Sequence, residues 1–361
     1  MSQLRIPGPT PLPEEVMKAI SRQMVDHRGP EFGKILLDVT AKLKQLFQTQ
    51  SDILVLTGSG TGGLEAAVVN LLSPGDPILA VSIGAFGDRL INIAEKFGAK
   101  VIPLRFEWGL PADPEVIRKT LKDNPEVKVV FVTHNETSTG VTNDLEAISR
   151  VVKGAGKLLA VDGISSVGSI DLPADKWQCD MVVTASQKGW MVPPGLTMIS
   201  VSPLAWQATT QAKMPRYYWD FTQAKKYGEK GQTPWTPAIS VILGMQVALE
   251  LMLKEGLANT FARQAKIGKA CREGIKSLGL KLFAPESHAS NTVTAVRADG
   301  LEVKRFRQLL REGHGVVIAD GQGKLEGQIF RIGHLGLVTG KDIQEVLEAI
   351  KVVLPKAGFK K

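Results

Sequence analysis

Residues 181–202 read MVVTASQKGWMVPPGLTMISVS, and Lys188 is the only charged residue in this segment. An apolar sequence rich in Val and Thr, interrupted by Gly and Pro, predicts two buried strands joined by a tight connection. A lysine placed there loses hydration, which lowers the pKa of its amine and frees it as a nucleophile. These are the surroundings that a Schiff-base lysine needs. On this segment alone, however, an ordinary loop lysine at a sheet edge is the stronger explanation.

Two predicted strands upstream deliver polar residues at their carboxyl ends. Residues 127–133 (VKVVFVT) run into the segment His134-Asn-Glu-Thr-Ser-Thr-Gly140, and residues 157–162 (KLLAVD) end at Asp162. Open α/β sheets bind ligands in the crevice at the carboxyl ends of their strands. An aspartate and a lysine there suit pyridoxal phosphate, because Lys188 can hold its aldehyde carbon and Asp162 can keep its pyridine nitrogen protonated.

A glycine-rich turn, Thr57-Gly-Ser-Gly-Thr-Gly-Gly63, lies between a predicted strand and a predicted helix. Small residues let backbone N–H groups converge on an anion at a helix N-terminus. The glycines also match the G-x-G-x-x-G pattern, but the next strand, residues 77–82, lacks the terminal acid that would hold a ribose. No Gly-Lys-Ser/Thr follows, which argues against a nucleotide-triphosphate loop. Together with Asp162 and Lys188, the turn predicts a phosphate site.

Five motifs follow one another in a fixed order along the chain. They are Gly-Ser-Gly-Thr at 58–61, Asn-Glu-Thr-Ser-Thr-Gly at 135–140, Val-Asp-Gly-Ile-Ser-Ser at 161–166, Ser-Gln-Lys at 186–188 and Phe-Arg-Ile-Gly at 330–333. In these motifs the chain resembles the class V aminotransferases, and within them the alanine–glyoxylate and serine–pyruvate (serine–glyoxylate) branch. The resemblance extends from Pro7-Gly-Pro9 to the final predicted helix.

The resemblance implies an α/β protein of the PLP-dependent transferase fold type I. Its large domain would hold a mostly parallel seven-stranded sheet, and a smaller C-terminal α+β domain would follow. The alternation of apolar strands and amphipathic helices from about Ser51 to Ser202 agrees with a sheet covered on both faces. The expected boundaries are an N-terminal arm at 1–20, a large cofactor-binding domain at 21–254 and a small domain at 255–361.

The resemblance also implies a role for each position that matches a family motif. Lys188 would carry the cofactor, Asp162 would pair with its pyridine nitrogen, and Phe86 would stack on its ring, where close relatives often have a tryptophan. The remaining expected cofactor contacts are Ser59, Gly60, Thr61 and Gln187 at the phosphate and Thr137 near the phenolic oxygen.

Two further implied roles concern the substrate and a second subunit. Arg331 would grip the substrate's α-carboxylate, a two-pronged contact for which a planar guanidinium is suited; without the family, a structural salt bridge would be the stronger explanation. Thr236, with Thr233 as second choice, would reach the phosphate held by the neighbouring subunit of a homodimer. A proline-punctuated turn before a helix also explains Gly231-Gln-Thr-Pro-Trp-Thr-Pro237.

Composition excludes several other classes of protein. The chain has 361 residues, 43% hydrophobic and 22% charged, which is ordinary for a globular protein of two domains. We expect no membrane span and no secretory signal. With only Cys179 and Cys271 we expect no disulfide framework and a cytoplasmic location. The basic residues behind the net charge of +8 are dispersed, so no nucleic-acid partner is expected. The histidines lack metal-ligand spacing, so no metal site is expected.

The favoured function is transfer of an amino group from a small amino acid, alanine or serine, to a 2-oxo acid, glyoxylate or pyruvate. Small donors are expected because no second arginine is evident for a dicarboxylate side chain. A lyase of the cysteine desulfurase type shares the lysine, aspartate and arginine, but it needs a cysteine on a loop before the arginine. Residues 287–327 contain none. A retired enzyme serving as a subunit of a larger assembly ranks third.

Overall fold

The computed structural model describes residues 3–359. The strands are β1 (Gln3–Arg5), β2 (Asp52–Gly58), β3 (Pro77–Ser82), β4 (Lys100–Arg105), β5 (Val129–Thr133), β6 (Asn135–Glu136), β7 (Val141–Thr142), β8 (Leu158–Asp162), β9 (Met181–Ala185), β10 (Gly195–Val201), β11 (Val293–Arg297), β12 (Val316–Asp320) and β13 (Ile329–Gly333). The helices are α1 (Glu14–Ile20), α2 (Pro30–Phe47), α3 (Gly60–Leu71), α4 (Ala85–Lys96), α5 (Pro114–Asp123), α6 (Leu145–Gly154), α7 (Pro203–Gln211), α8 (Phe221–Gly228), α9 (Ile239–Glu255), α10 (Leu257–Ser277), α11 (Val303–His314) and α12 (Gly340–Val353).

A seven-stranded sheet with the order β2-β10-β9-β8-β5-β3-β4 forms the centre of the larger part of the chain. All neighbouring pairs are parallel except those of β10, which runs antiparallel to both β2 and β9. Strands β5 and β9 are buried throughout, as their continuous apolar sequences predict for a sheet with helices on both faces. The predicted mostly parallel seven-stranded sheet is confirmed. Its parallel strands bring their carboxyl ends, including Thr133 and Asp162, to one edge.

A four-stranded sheet with the order β1-β12-β13-β11 forms the smaller part. Its core contains the buried aromatic pair Phe306 and Phe330, whose ring centroids are 5.0 Å apart. Helix α12 begins with the predicted capping box, in which the Thr339 and Asp342 side chains each bond the other residue's backbone N–H. Strand β1 pairs with β12 in parallel, so the start of the chain is built into a sheet made otherwise of its last third.

Helix α3 begins at Gly60, four residues before the predicted start at Leu64. Ser59 is its N-cap and accepts a bond from the Gly62 N–H at 3.4 Å. Gly63 lies tightly against the sheet, where a side-chain carbon would run into Thr197 of β10. The glycines therefore allow the helix to begin inside the turn, which brings its N-terminus against the sheet edge.

Among residues 3–359, no helix combines the length and the apolar character required to cross a bilayer.

Candidate active site

A cavity of about 240 Å³ opens at the carboxyl edge of the seven-stranded sheet. It lies beside the ends of β2 and β8 and the N-terminus of α3, where polar groups of separate strands converge. The predicted site residues that line it are Ser59, Gly60, Thr61, Phe86, Thr137, Asp162, Gln187 and Lys188. The structure adds Leu64, Arg89, Asn135, Ile164 and Ser165 to its walls.

Lys188 lies between β9 and β10, the two buried strands that its flanking sequence predicted, but the connection spans residues 186–194 and is longer than the expected tight turn. Its Nζ donates a hydrogen bond to the Pro7 carbonyl oxygen at 2.5 Å. Burial lowers the pKa of the Lys188 amine to about 8, although the nearby Asp162 carboxylate opposes the shift. A substantial neutral fraction is therefore present near physiological pH, and a neutral amine is the form that attacks a carbonyl carbon.

Asp162 ends β8 and is only 4% exposed. Among residues 3–359 its carboxylate accepts one hydrogen bond, from the Ile164 N–H at 3.0 Å. Burial raises the pKa of Asp162 to about 7; the Ile164 bond and the Lys188 charge oppose this, while the Glu136 charge adds to it. A buried carboxylate with a single donor leaves acceptor capacity unused, which a cationic N–H entering the cavity would satisfy.

The turn Ser59–Thr61 presents the first backbone N–H groups of α3 to the cavity. The first N–H groups of a helix have no partner within the helix and carry partial positive charge, so they favour an anion. Gly60 packs closely here, because a side-chain carbon would lie 2.6 Å from Ile164 Cδ1. Arg89 donates to Thr61 Oγ1 at 3.3 Å, which adds a full positive charge beside the turn. The arrangement suits a phosphate group.

Phe86 lies in the first turn of α4, and the Arg89 guanidinium is 4.7 Å from its ring centroid. The side chain of Glu136, from another segment of the chain, binds the N-terminus of this helix. The backbone N–H groups of Phe86 and Gly87 donate to the Glu136 carboxylate at 3.2 and 3.1 Å. Glu136 is fully buried and also accepts from the Ser138 hydroxyl at 2.6 Å. One buried carboxylate thus fixes the position of the predicted stacking residue.

Arg331 lies on β13, outside the residues that line the cavity, and is 7% exposed. Its Nε donates to the Asp320 carbonyl oxygen at 2.7 Å and its Nη1 to the Thr137 carbonyl oxygen at 3.1 Å. Burial lowers the pKa of Arg331 to about 10, opposed by the Glu136 and Asp320 charges. Within residues 3–359 no carboxylate forms an ion pair with Arg331. Its charge is therefore available to an anionic ligand near Thr137.

Gln187 and Asn135 complete the polar wall. The Gln187 Oε1 atom is buried and has no hydrogen-bond partner among the described residues. Asn135 donates to the Ser165 hydroxyl at 2.8 Å and to the Thr292 hydroxyl at 3.0 Å, which connects β6 to the segment after β8 and to the residue before β11. An orphaned buried acceptor facing a cavity indicates a site shaped for a bound group.

Thr233 and Thr236 are not brought into this cavity within a single chain. Thr233 is buried and donates to the Trp235 carbonyl oxygen at 2.7 Å, while Thr236 is exposed. Thr233 lines a separate surface cavity beside Asp52 and Lys225. Their expected role therefore needs a second subunit.

Sequence reasoning missed several members of the site. Arg89 received no role, and neither did Asn135 and Glu136, although both stood within the quoted motif at 135–140. The available signal was their position beside Phe86, Thr137 and Asp162. Their partners, such as the Phe86 N–H 50 residues from Glu136, could not be read from the local pattern.

Comparison with known proteins places this geometry in a family. The family model described as Aminotransferase class-V matches residues 4–329. The chain is 43% identical to the "Soluble hydrogenase 42 kDa subunit" of Anabaena cylindrica, covering 98% of this chain and 94% of that protein. It is 40% identical to the L-aspartate–glyoxylate aminotransferase of Paracoccus denitrificans, covering 98% and 91%. It is 35% identical to the serine–glyoxylate aminotransferase of Methylorubrum extorquens, covering 97% and 92%.

Among solved structures, the pyridoxamine–pyruvate aminotransferase from Mesorhizobium loti superposes with a TM-score of 0.95 at 32% identity, covering 99% of this chain and 93% of that one. The fold is therefore that of the PLP-dependent transferases of fold type I. Because both the family model and these relatives extend along most of its length, the chain belongs to the class V aminotransferase family.

Proposed function

We propose that the protein is a pyridoxal-phosphate-dependent aminotransferase that moves an amino group from alanine or serine to glyoxylate or pyruvate. One observation carries the proposal. The partly buried Lys188 side chain, the buried carboxylate of Asp162 and the turn at Ser59–Thr61 all line one cavity. The membership of the chain in an aminotransferase family supports it.

The residues present fit pyridoxal phosphate. Asp162 has acceptor capacity left for a pyridine N–H, and the N-terminus of α3 with Arg89 provides donors for a phosphate. Gln187 adds a buried side-chain oxygen that has no partner in the described part of the chain. Pyridoxal phosphate, when bound, supplies a carbonyl carbon that condenses with amines and a ring that spreads negative charge.

The protein groups then have distinct tasks. Lys188 Nζ would attach the cofactor and, once displaced by the amino donor, would move a proton away from the donor's Cα. Asp162 would keep a positive charge on the ring nitrogen by remaining ionised beside it. Arg331 would hold the α-carboxylate, because no acidic side chain among residues 3–359 pairs with its guanidinium. A substrate held at both ends keeps its Cα near the Lys188 amine.

The proposed acceptor and the proposed donor are supported by different observations. Glyoxylate occurs in the names of both aminotransferase relatives, which supports it as the acceptor. A small donor is supported by the position of Arg89, which bonds the phosphate turn and so is assigned to the phosphate. A dicarboxylate donor is the second candidate. Arg89 lies in the cavity wall and so adds a second arginine to Arg331 on β13, contrary to the sequence-based expectation, and one relative is named for aspartate.

A desulfurase function receives no support from the two cysteines. Cys179 and Cys271 are both buried in apolar clusters. Burial raises the pKa of the Cys271 thiol to about 11 and raises that of Cys179 as well, so neither provides the thiolate that sulfur transfer requires.

The first experiment asks whether Lys188 binds the cofactor. The purified protein should show the visible absorption band of bound pyridoxal phosphate, and borohydride reduction followed by peptide mapping should label Lys188. The Lys188→Ala variant should lose transamination while still binding the cofactor noncovalently. Label on another lysine would remove Lys188 from this role.

The second experiment is a matrix of amino donors and oxo-acid acceptors. Alanine or serine with glyoxylate should give the highest kcat/KM. If aspartate or glutamate is the best donor, the dicarboxylate alternative replaces the small-donor proposal. If no pair reacts although the cofactor is bound at Lys188, the protein is not an aminotransferase.

A further inference from the structure

The segment Ile6–Thr10 passes directly over Lys188. The Pro7 carbonyl oxygen accepts the hydrogen bond from Lys188 Nζ. Thr10 bonds the same turn twice: its N–H donates to the Gln187 carbonyl oxygen at 3.2 Å, and its hydroxyl donates to the Lys188 carbonyl oxygen at 2.9 Å. The segment is therefore attached to both the backbone and the amine of the catalytic lysine.

The room between this segment and Lys188 exists only because residue 8 is glycine. Gly8 has φ +100°, a conformation that favours glycine, and a side-chain carbon there would lie 2.6 Å from Lys188 Cδ and 2.9 Å from its Nζ. On its other side the segment packs closely against β13, where a side-chain carbon at Gly333 would run into the Ile6 carbonyl. The segment thus lies between the turn of Lys188 and the strand that carries Arg331.

We propose that this segment is a positioning element of the active site, in which the Pro7 carbonyl holds the free Lys188 amine and Gly8 provides the space that the amine needs. The inference rests on the proposed function, since it concerns the state in which the donor has displaced Lys188. An amine that donates one N–H to a fixed carbonyl has a defined position and keeps its remaining hydrogens or lone pair for the cavity. Proton transfer from the donor's Cα requires such a position.

The charge on the held amine is set by its surroundings. Asp162 favours the ammonium form, whereas Arg331 and Arg89 disfavour it. The Pro7 carbonyl also favours the ammonium form, because a carbonyl oxygen accepts more strongly from a charged donor. Loss of this contact should therefore lower the pH at which the amine becomes reactive.

The test compares Gly8→Ala with Gly75→Ala in the protein freed of cofactor. Gly75 also has a left-handed backbone, φ +80°, but no atom lies within 4 Å of its added carbon, so its variant controls for backbone strain. Trace acetylation with acetic anhydride over a range of pH, read by mass spectrometry of the Lys188 peptide, gives the titration midpoint of the amine. In Gly8→Ala this midpoint should fall by about one unit relative to Gly75→Ala, as loss of one charged hydrogen bond predicts.

A second variant keeps the test decisive if Gly8→Ala does not fold. Thr10→Val removes the hydroxyl bond to the Lys188 carbonyl without adding bulk, and it should shift the midpoint in the same direction by a smaller amount. If neither variant differs from Gly75→Ala in this midpoint, the proposal is overturned. If the wild-type protein never bound the cofactor at Lys188, the proposed function would be overturned instead. The acetylation midpoints would still show whether Pro7 holds the Lys188 amine.

Discussion

Burial acts in opposite directions on the two charged groups at the centre of the cavity. It raises the pKa of Asp162 to about 7 and lowers that of Lys188 to about 8. Both shifts mean that keeping these groups charged lowers the free energy of unfolding of the protein. A bound pyridine N–H beside Asp162 would offset part of this cost. The burial that suits these two residues to catalysis therefore lowers the stability of the cofactor-free protein.

Asp162→Asn should stabilise the cofactor-free protein and at the same time abolish transamination. Because the folded pKa is raised above the ordinary value of 3.8, the folded state binds more protons than the unfolded state between about pH 4 and 7, and stability falls as pH rises through this window. The variant lacks this penalty, so its gain should reach up to about 4 kcal/mol at pH 8 and disappear near pH 4. Activity should fall by several orders of magnitude, because an amide cannot keep the ring nitrogen protonated.

Urea unfolding at pH 4, 6 and 8, together with kcat, measures both effects. Asp171→Asn, on the surface beside Gln48, is a suitable control because its carboxylate is not buried in the cavity. A variant that is no more stable than wild type at pH 8, or that turns over at nearly the wild-type rate, would contradict the role given to Asp162.

Arg331→Lys should weaken every amino donor to a similar extent. Lysine keeps the positive charge but cannot bond the Asp320 and Thr137 carbonyls and a carboxylate together in one plane. The expected loss is about 1.5–3 kcal/mol in kcat/KM, the size of a charge-assisted contact. Steady-state kinetics with alanine, serine and glutamate provide the comparison. A loss confined to one donor would place Arg331 at a side-chain subsite instead of the shared α-carboxylate.

Helix α4 depends on another segment for its N-terminal partners. Its N-cap, Gly84, has no side chain, and a side-chain carbon there would run into Glu136. The Glu136 carboxylate therefore takes the place of a capping residue, and its charge is favourable at the positive end of the helix. Burial raises the pKa of Glu136, while the Ser138 hydroxyl and the backbone N–H groups of Gly87, Ser138 and Phe86 lower it.

Glu136→Gln should destabilise the protein and weaken cofactor binding together. The variant keeps the size of the side chain but loses its charge, and its amide group would turn N–H donors toward the N–H groups of Phe86 and Gly87. We expect about 1–3 kcal/mol of destabilisation and weaker binding of pyridoxal phosphate, because α4 presents Phe86 and Arg89 to the cavity. Chemical unfolding and cofactor titration are the measurements. Glu146→Gln, in the exposed first turn of α6, is the matched control, and equal effects in both variants would refute the prediction.

The strands and motifs were predictable because their signals are local. Continuous apolar runs such as Val129–Thr133 identify buried parallel strands, and glycine turns identify a helix N-terminus. The start of α3 at Gly60 was missed because its early turns depend on packing against Thr197, far along the chain. The partners of Glu136 were missed for the same reason, since a carboxylate in a motif does not show which N–H groups it meets.

The complete site combines the two sheets. Asp162 and Lys188 come from the seven-stranded sheet, Arg331 comes from the four-stranded sheet, and the segment at Pro7 joins them because β1 pairs with β12. The sequence indicated each of these parts but not that the N-terminal segment joins the two sheets. Pairing between residues 3–5 and 316–318 leaves no local pattern in the sequence. A substrate held by Arg331 would therefore contact both parts of the molecule.

A patch of exposed aromatic rings lies beside the loop that carries Thr236. Tyr217 is 77% exposed and stacks on Trp235 with centroids 4.7 Å apart, and Tyr218 also stacks on Trp235. The Tyr218 hydroxyl contacts the Thr57 carbonyl oxygen at 3.4 Å, so the patch borders the phosphate turn. Clustered exposed apolar side chains are typical of an interaction surface. They support the proposal that a second copy of the chain covers this region and contributes Thr236 to the phosphate site.

A homodimer with a shared phosphate site predicts complementation between two defective variants. Thr236→Val should leave the dimer intact in sedimentation but weaken pyridoxal phosphate binding about tenfold, through loss of one phosphate hydrogen bond. Lys188→Ala should be inactive. In a mixed dimer, the Lys188 of the Thr236→Val subunit would face the intact Thr236 of the other subunit, so one of the two sites would be complete.

Coexpressed and separately tagged mixed dimers should therefore be more active at limiting cofactor than the Thr236→Val dimer, measured per subunit that retains Lys188. Thr233→Val combined in the same way tests the second-choice threonine. If Thr236 acted within its own chain, the subunit with Lys188 would still lack it, and mixing would restore nothing. A fully active monomer would refute the shared site altogether, because Thr236 does not line the cavity of Lys188 within one chain.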